Sequence, residues 1–379
     1  MNFTTKKERL SIERLSFFAI FEVMKKTKIV LSLAALCVLF GALAWNWLRD
    51  NKLPNFEKSS EFYVRPGETL DEAIAAIDGK CGIISRKSLD RTFKSKDVAS
   101  YMKPGHYYIN RSSSSVYVAR MLNNGWQSPV KLTLAGNLRI RENIAAKIAS
   151  QMLLDSATVR AAFEDKELLA RFGSNPRDVF SLMVPATYEI WWTASMEEIF
   201  AKQKEALDAF WTPENDAKAA RLGMTRQQVS TLASIVKGET NYEPEMAKVA
   251  GVYLNRLKIG MPLQADPTVA FCFDYKPNRI LNRHLEFDSP YNTYKYPGLP
   301  PGPICVPTKE CLLAVLNADY GAGAGPGAGE PGAGGNLYFC ANADFSGTHA
   351  FAKTLAQHNA NASAFQKELS RRAAAQKNK

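Results

Sequence analysis

Apolar residues recur along this chain at two periods, and the switches between them mark its elements. One run has no period at all: Ile29–Leu48 (IVLSLAALCVLFGALAWNWL) carries no charge and is long enough to cross a bilayer as a helix. Beyond it, Phe62–Ile77 (FYVRPGETLDEAIAAI) predicts a short strand, a Pro-Gly turn and a helix capped by Thr69. The same spacing returns twice. Phe62-x-Val64 with Thr69, Tyr107-x-Ile109 with Ser114 and Tyr188-x-Ile190 with Ser195 each set a hydroxyl five residues after the β-branched member of an aromatic strand. A hydroxyl there suits a helix N-cap, so a strand–turn–helix unit is expected three times, with chance similarity as the alternative. Val130–Ala135 alternates like a strand, and amphipathic helices are expected at Arg141–Met152, onward to about Phe172, and at Glu197–Phe210.

The clearest helical signal lies in Thr225–Leu257. Thr225 with Gln228 forms a capping box, and Val229, Leu232, Ile235 and Val236 make one stripe. Pro244 then stands in the first turn of a second helix, where its missing N–H costs nothing. Its apolar face is Met246, Val249, Ala250, Tyr253, Leu254 and Leu257. Residues 321–335 (GAGAGPGAGEPGAGG) are low in complexity and read as a mobile insertion between two elements. A strand at Leu337–Ala341 and a terminal helix rich in Ala and Lys complete the pattern.

Composition narrows the class. A chain of 379 residues, 46% hydrophobic and 11% aromatic, has room for two globular domains. Lys25, Lys26 and Lys28 precede the apolar run and Trp45 and Trp47 close it, which predicts a retained single-pass anchor with its N-terminus in the cytoplasm. A cleaved signal peptide is the alternative, but Trp-Asn-Trp-Leu-Arg is a poor cleavage site. Met24 opens a second, more ordinary basic start, which leaves the natural status of residues 1–23 open. The net charge of +11 is spread along the chain. It favours anionic lipid or wall polymer over nucleic acid, because no helix-turn-helix, zinc-finger or aromatic RNA-binding motif accompanies it. Cys37 lies in the anchor; Cys81, Cys272, Cys305, Cys311 and Cys340 show no metal-ligand spacing, and the four histidines form no HExxH pair. Neither metal nor cofactor is expected. A disulfide among those five is permitted but not assignable.

Glu239 is the residue on which a function turns. At about 100° per residue it falls within the arc of Val229, Leu232, Ile235 and Val236. A carboxyl held there is desolvated, its pKa rises and it serves as a general acid. The other reading ends the helix near Gly238 and leaves Glu239 in solvent. Downstream, Leu263–Val269 (LQADPTV) offers Gln264 and Asp266, and Tyr291–Ile304 (YNTYKYPGLPPGPI) offers Tyr291, Asn292, Thr293 and Tyr294 beside a rigid Pro-Gly turn. Gly347–Asn359 (GTHAFAKTLAQHN) adds His349. Rings beside amides and hydroxyls suit a sugar. An Asx-turn for Asn292, a helix cap for Asp266 and a buried ring for His349 are the structural alternatives. No GxSxG, Walker loop or GxGxxG is present. A thiol pair of Cys272 or Cys305 with His349 has no local support. A conventional glycosidase needs a second carboxylate, for which Asp266 and Glu243 are the nearby candidates.

The run SIVKGETNYEPEMAKVAGVYLNRLKIGMPLQADPTV, followed by YNTYKYPGLPPGPI and YFCANADFSGTHAFAKTLAQHN, resembles the YceG-like endolytic murein transglycosylases (the MltG family) over nearly all of the chain beyond the anchor. PGETLDEAIAAI resembles the LysM-like subdomain of that family. The resemblance implies an α+β chain: a cytoplasmic segment 1–28, a transmembrane helix 29–48, a linker 49–60, a LysM-like subdomain 61–130 and a catalytic domain 131–379. It places the catalytic carboxyl on Glu239 and the substrate groove on Gln264, Asp266, Tyr291, Asn292, Thr293 and His349. Gly238, where a charged residue is frequent, and the Gly/Ala insertion depart from the pattern. The implied reaction is non-hydrolytic cleavage of the MurNAc-β-1,4-GlcNAc bond within a nascent strand, leaving a 1,6-anhydro end, beside a peptidoglycan synthase. The alternative from another class is a glycan-binding adaptor without turnover.

Overall fold

The structure, a computed structural model, describes residues 4–322, 332 and 334–377, with side chains from residue 21 to 374. Most of the Gly/Ala insertion expected to be mobile lies outside the described residues. The chain divides into two compact units, Met1–Ser128 and Pro129–Lys379.

The first unit opens with helix α1 (Thr4–Asn51). Its portion Phe21–Asn51 is long and apolar enough to cross a membrane and is not buried by the rest of the chain. The segment 49–60 is not the free linker expected from its polarity. Ser88 and Arg91 both donate to the carboxylate of Asp50, at 2.6–2.8 Å. Asn55 is fully buried, donating to Ser85 O and Ser115 Oγ and accepting from Ser85 N. These polar side chains are used because a buried amide or carboxylate must be paired. Polarity here marks a clasp.

Strands β1 (Ser60–Val64) and β2 (Gly105–Ile109) pair antiparallel, with Phe62 opposite Tyr107. Between them run helices α2 (Leu70–Cys81), α3 (Arg86–Ser95) and α4 (Val98–Tyr101), and α5 (Ser115–Asn124) follows. Phe56, Phe62, Ile77, Leu89, Phe93 and Tyr107 fill the core of this unit.

The second unit starts with the same order. Strand β3 (Val130–Leu134) is followed by α6 (Arg141–Ala149), α7 (Ser156–Glu164), α8 (Lys166–Ala170) and a short 3-10 turn. Strand β4 (Ala186–Ile190) then pairs antiparallel with β3, with Leu132 opposite Tyr188, and α9 (Met196–Phe210) follows. All three expected caps are present. Thr69 and Ser195 form capping boxes with Glu72 and Glu198, and Ser114 accepts from Tyr117 N. The likeness extends to a buried phenol. Tyr107 Oη donates to Lys103 O at 2.7 Å and Tyr188 Oη to Val184 O at 2.6 Å, each four residues upstream. A tyrosine buried in a strand must find an acceptor for its hydroxyl, and both repeats find the same one.

Helices α10 (Pro213–Arg221), α11 (Arg226–Glu239), α12 (Glu243–Lys258), α13 (Asp266–Cys272), α14 (Asn282–Leu285) and α15 (Lys309–Leu316) come next. Strands β5 (Tyr338–Ala341) and β6 (His349–Ala352) pair antiparallel, and α16 (Leu355–Lys377) ends the chain. The core joins α11, α12 and α15 through Leu232, Ile235, Val249, Tyr253, Cys311 and Val315. Gly251 permits the close approach of α12 to the turn after α15, because a Cβ there would sit 1.9 Å from Asp319 O. Asn255, one turn on, is fully buried. It donates to Tyr320 O and Asn336 O and accepts from Gly332 N, so one side chain clasps both flanks of the Gly/Ala segment. The architecture is mixed α+β, and all six cysteines are free thiols.

Candidate active site

Helix α11 begins at the expected capping box and ends at Glu239, with Thr240 as its C-cap. Both sequence readings of Glu239 are thus partly met: the helix does stop there, yet the carboxyl is not left in solvent. The turn to α12 folds Tyr253 back over it, and Tyr253 Oη donates to Glu239 Oε1 at 2.5 Å. Tyr253 itself is only 1% exposed. Burial pushes the Glu239 carboxyl up to about 7, the hydrogen bond from Tyr253 opposes that rise, and the charge of Asp266 adds to it. The Tyr253 hydroxyl is held well above its ordinary value, again by burial first and then by the adjoining carboxyl. It stays a neutral donor.

Glu239 opens onto a groove of about 410 Å³ whose walls include Arg139, Gly238, Asp266, Pro267, Tyr275 and Arg279. Asp266 stands at the start of α13, and its Oδ1 accepts from Tyr294 Oη at 2.7 Å. The second carboxyl of the groove is therefore held by a phenol, as the first is. Helix α13 reaches Glu239 because Gly238 has no side chain; a Cβ on it would meet Pro267 Cβ at 2.5 Å. The bare backbone at Gly238 lets the start of α13, with Asp266, stand beside the acid.

The remaining expected residues divide. Tyr294 points to the site through Asp266. Gln264 adopts φ +49°, its exposed side chain lies outward, and its N–H donates to Thr293 O at 3.2 Å. Tyr291 packs on Phe271 with ring centroids 4.7 Å apart. Asn292 and Thr293 are buried and turned inward. Asn292 donates to Leu285 O and Phe287 O and accepts from Tyr294 N; Thr293 Oγ1 accepts from Ala265 N and shares a hydrogen bond with Thr268 Oγ1. Their polar atoms are consumed in bolting the 291–294 turn to the end of α14 through Asn292 and to α13 through Thr293, so they hold Tyr294 beside Asp266 and offer nothing to a sugar. His349, on β6, is bound to Glu245: its Nδ1 lies 3.0 Å from Oε2 and its N–H donates to Oε1 at 2.9 Å. It is linked to the site through Phe339, whose ring contacts both His349 and Tyr253.

Burial pushes the Cys305 thiol up to about 12, which removes the thiolate a cysteine nucleophile needs. Glu243, the other candidate second carboxylate, is exposed and not among the groove residues. Residues that sequence reasoning passed over are Tyr253, taken as one of an apolar stripe, and Arg139, Tyr275 and Arg279, which carried no local signal. Arg256 is also new. It is buried beneath the site, donates to Leu337 O and Leu263 O, and lies 5.5 Å over the ring of Tyr338.

Known proteins resemble this chain over most of its length. The chain is 28% identical over 326 residues to a Bacillus subtilis protein named endolytic murein transglycosylase, covering 80% of this chain and 85% of that one. A Streptococcus pneumoniae protein of the same name is 22% identical over 310 residues, 73% of this chain and 56% of that one. The crystal structure of a yceG-like protein from Listeria monocytogenes superposes with a TM-score of 0.51 at 25% identity, covering 80% of this chain and 98% of the other. The model of the YceG-like family matches residues 62–364, from within the first strand into the first half of the last helix. The chain belongs to the YceG-like family.

Proposed function

We propose that this protein is a membrane-anchored endolytic lytic transglycosylase of peptidoglycan, with Glu239 as its single acid–base catalyst. The observation that carries the reading is the carboxyl of Glu239 at the groove, raised to about 7 and donated to by Tyr253. A general acid works best with a pKa near the working pH. Protonated Glu239 gives its proton to the glycosidic oxygen between MurNAc and GlcNAc, and the bond from C1 to that oxygen breaks. The C6 hydroxyl of the same muramyl ring then attacks C1 and loses its proton to Glu239, which is restored. One C–O bond breaks and one forms, no water is consumed, and the product ends in a 1,6-anhydro ring. The nucleophile is tethered to the sugar, so activation of water by a second carboxylate is not needed. That agrees with Asp266 being occupied by Tyr294.

The apolar part of α1 is the anchor, with the lysines before it in the cytoplasm and both units outside. The small first unit, in which helices α2 to α4 lie between two paired strands, supports the LysM-like reading and a hold on glycan near the bilayer. Cutting there sets where a nascent strand ends, beside its synthase. The test is Glu239→Gln, which keeps volume and polarity but has no transferable proton. Mass spectrometry of purified peptidoglycan should find anhydro-muramyl ends after incubation with the wild-type chain and none with the variant; wild-type yields from the variant sink the assignment.

A further inference from the structure

The groove at Glu239 carries two cations that acid–base chemistry does not use. Arg139 lies in the segment between β3 and α6, and Arg279 in the loop between α13 and α14; both line the same groove as Glu239. Arg139 is half-buried and its guanidinium lies 5.2 Å over the ring of Tyr275. That ring is itself tied down, since Tyr275 Oη donates to Ile304 O at 2.7 Å. Two other arginines of this unit have their donors occupied: Arg141 pairs with Glu164, and Arg256 with two carbonyls. Arg139 and Arg279 have no carboxylate partner among the described residues. Of the two acids facing them, Asp266 is held by Tyr294 and Glu239 by Tyr253.

A stacked guanidinium keeps its planar fork free for a ligand, and that fork matches a carboxylate in bidentate geometry. Two such forks beside the cleaved bond give the groove a positive wall where the substrate, not the protein, must bring the negative charge. We propose that Arg139 and Arg279 form a carboxylate-binding subsite that recognises the acidic group carried on the lactyl ether of the muramyl ring being cleaved. This rests on the transglycosylase reading above and deepens it to a choice of substrate. The carboxylate has two possible sources, the free lactyl group of a stem-less strand or the peptide stem attached to it. The stacked arginine orients the ring so that its C6 hydroxyl and C1 face Glu239.

The experiment uses three forms of one glycan preparation: strands with stems, strands stripped by an amidase so that lactyl carboxylates are free, and stripped strands whose carboxyls are converted to neutral methyl amides. Anhydro-end formation is followed with wild-type chain, Arg139→Gln and Arg279→Gln. Each guanidinium–carboxylate pair is expected to contribute about tenfold in kcat/KM, so the wild-type chain should prefer a carboxylate-bearing strand over the neutral one by about that factor or more. In either variant the preference should shrink toward one. A drop on stripping assigns the stem; a drop only on amidation assigns the lactyl group. The preference is a ratio within one preparation and does not depend on how much of a variant is folded. Co-sedimentation of the same strands with Glu239→Gln reads the subsite without turnover. If the wild-type chain yields no anhydro ends but Glu239→Gln shows the binding preference, the reaction reading falls and the subsite stands. Equal handling of all three strands by wild type, or an unchanged preference in both variants, overturns the subsite.

Discussion

Tyr253 Oη and Glu239 Oε1 lie 2.5 Å apart, joining the middle of α12 to the last residue of α11. Fourteen residues separate them, so the bond exists only because the two helices fold back on each other. It leaves Oε2 to carry the mobile proton, and it favours the carboxylate that forms once the proton has been delivered.

Tyr253→Phe removes that donor and keeps the ring. Burial is then opposed only by the charge of Arg256, so the Glu239 pKa rises above the present value of about 7. The acid is active when protonated, and the falling alkaline limb of kcat/KM should move to higher pH in the variant. Losing a hydrogen bond to a charged group should also slow turnover by about tenfold to a hundredfold. A pH–rate profile with an unmoved limb would show that the tyrosine does not tune the acid.

The same shift makes stability depend on pH. The folded pKa of Glu239 is raised from its ordinary 4.5 to about 7. The folded chain therefore binds more protons than the unfolded chain between those values. Stability is fully present below about pH 4.5, falls as pH rises through the window, and is flat above about 7, a loss on the order of 3 kcal/mol. Glu239→Gln has no proton to lose. Its denaturation midpoint relative to wild type should rise across that window, and parallel curves would contradict the burial of the carboxyl.

Gly238→Ala puts a Cβ 2.5 Å from Pro267 Cβ. Relieving the overlap means moving the start of α13, which carries Asp266, at a cost of about 1–3 kcal/mol. Activity should fall well beyond what the lowered Tm explains, because Asp266 and Tyr294 move with the helix. A variant with wild-type Tm and rate would mean that the contact yields freely.

Asn255→Ala removes a side chain that holds Tyr320 O, Asn336 O and Gly332 N together. Three backbone groups in or beside a buried site lose their partner, at about 1–3 kcal/mol for each one left dry. Chemical denaturation should register a loss of several kcal/mol, far above that of an exposed control such as Asn317→Ala. Similar losses for the two would dismiss the clasp.

What could be read directly from the chain was whatever short-range chemistry settles. The caps at Thr69, Ser114, Ser195 and Thr225 satisfy backbone N–H groups three residues away, so their spacing announces them wherever the helix later packs. The aromatic strands ahead of the first three follow from alternation. Glu239 was visible because a carboxylate on an apolar stripe is out of place at short range.

Other features were decided by packing between distant segments. Asn292 and Thr293 look like sugar ligands beside Tyr291, and only the fold turns them inward, because buried carbonyls and N–H groups from elsewhere in the chain claim their polar atoms. Residues 49–60 look like a tether until Asp50 and Asn55 meet partners more than thirty residues on. Tyr253 reads as one member of an apolar stripe, and Arg139 carries no local signal at all. The stripe that buries Tyr253 specifies an apolar face, not which single hydroxyl will arrive at Glu239. Periodicity encodes which side of an element leaves water; the partner it meets there is set by how the elements close on one another.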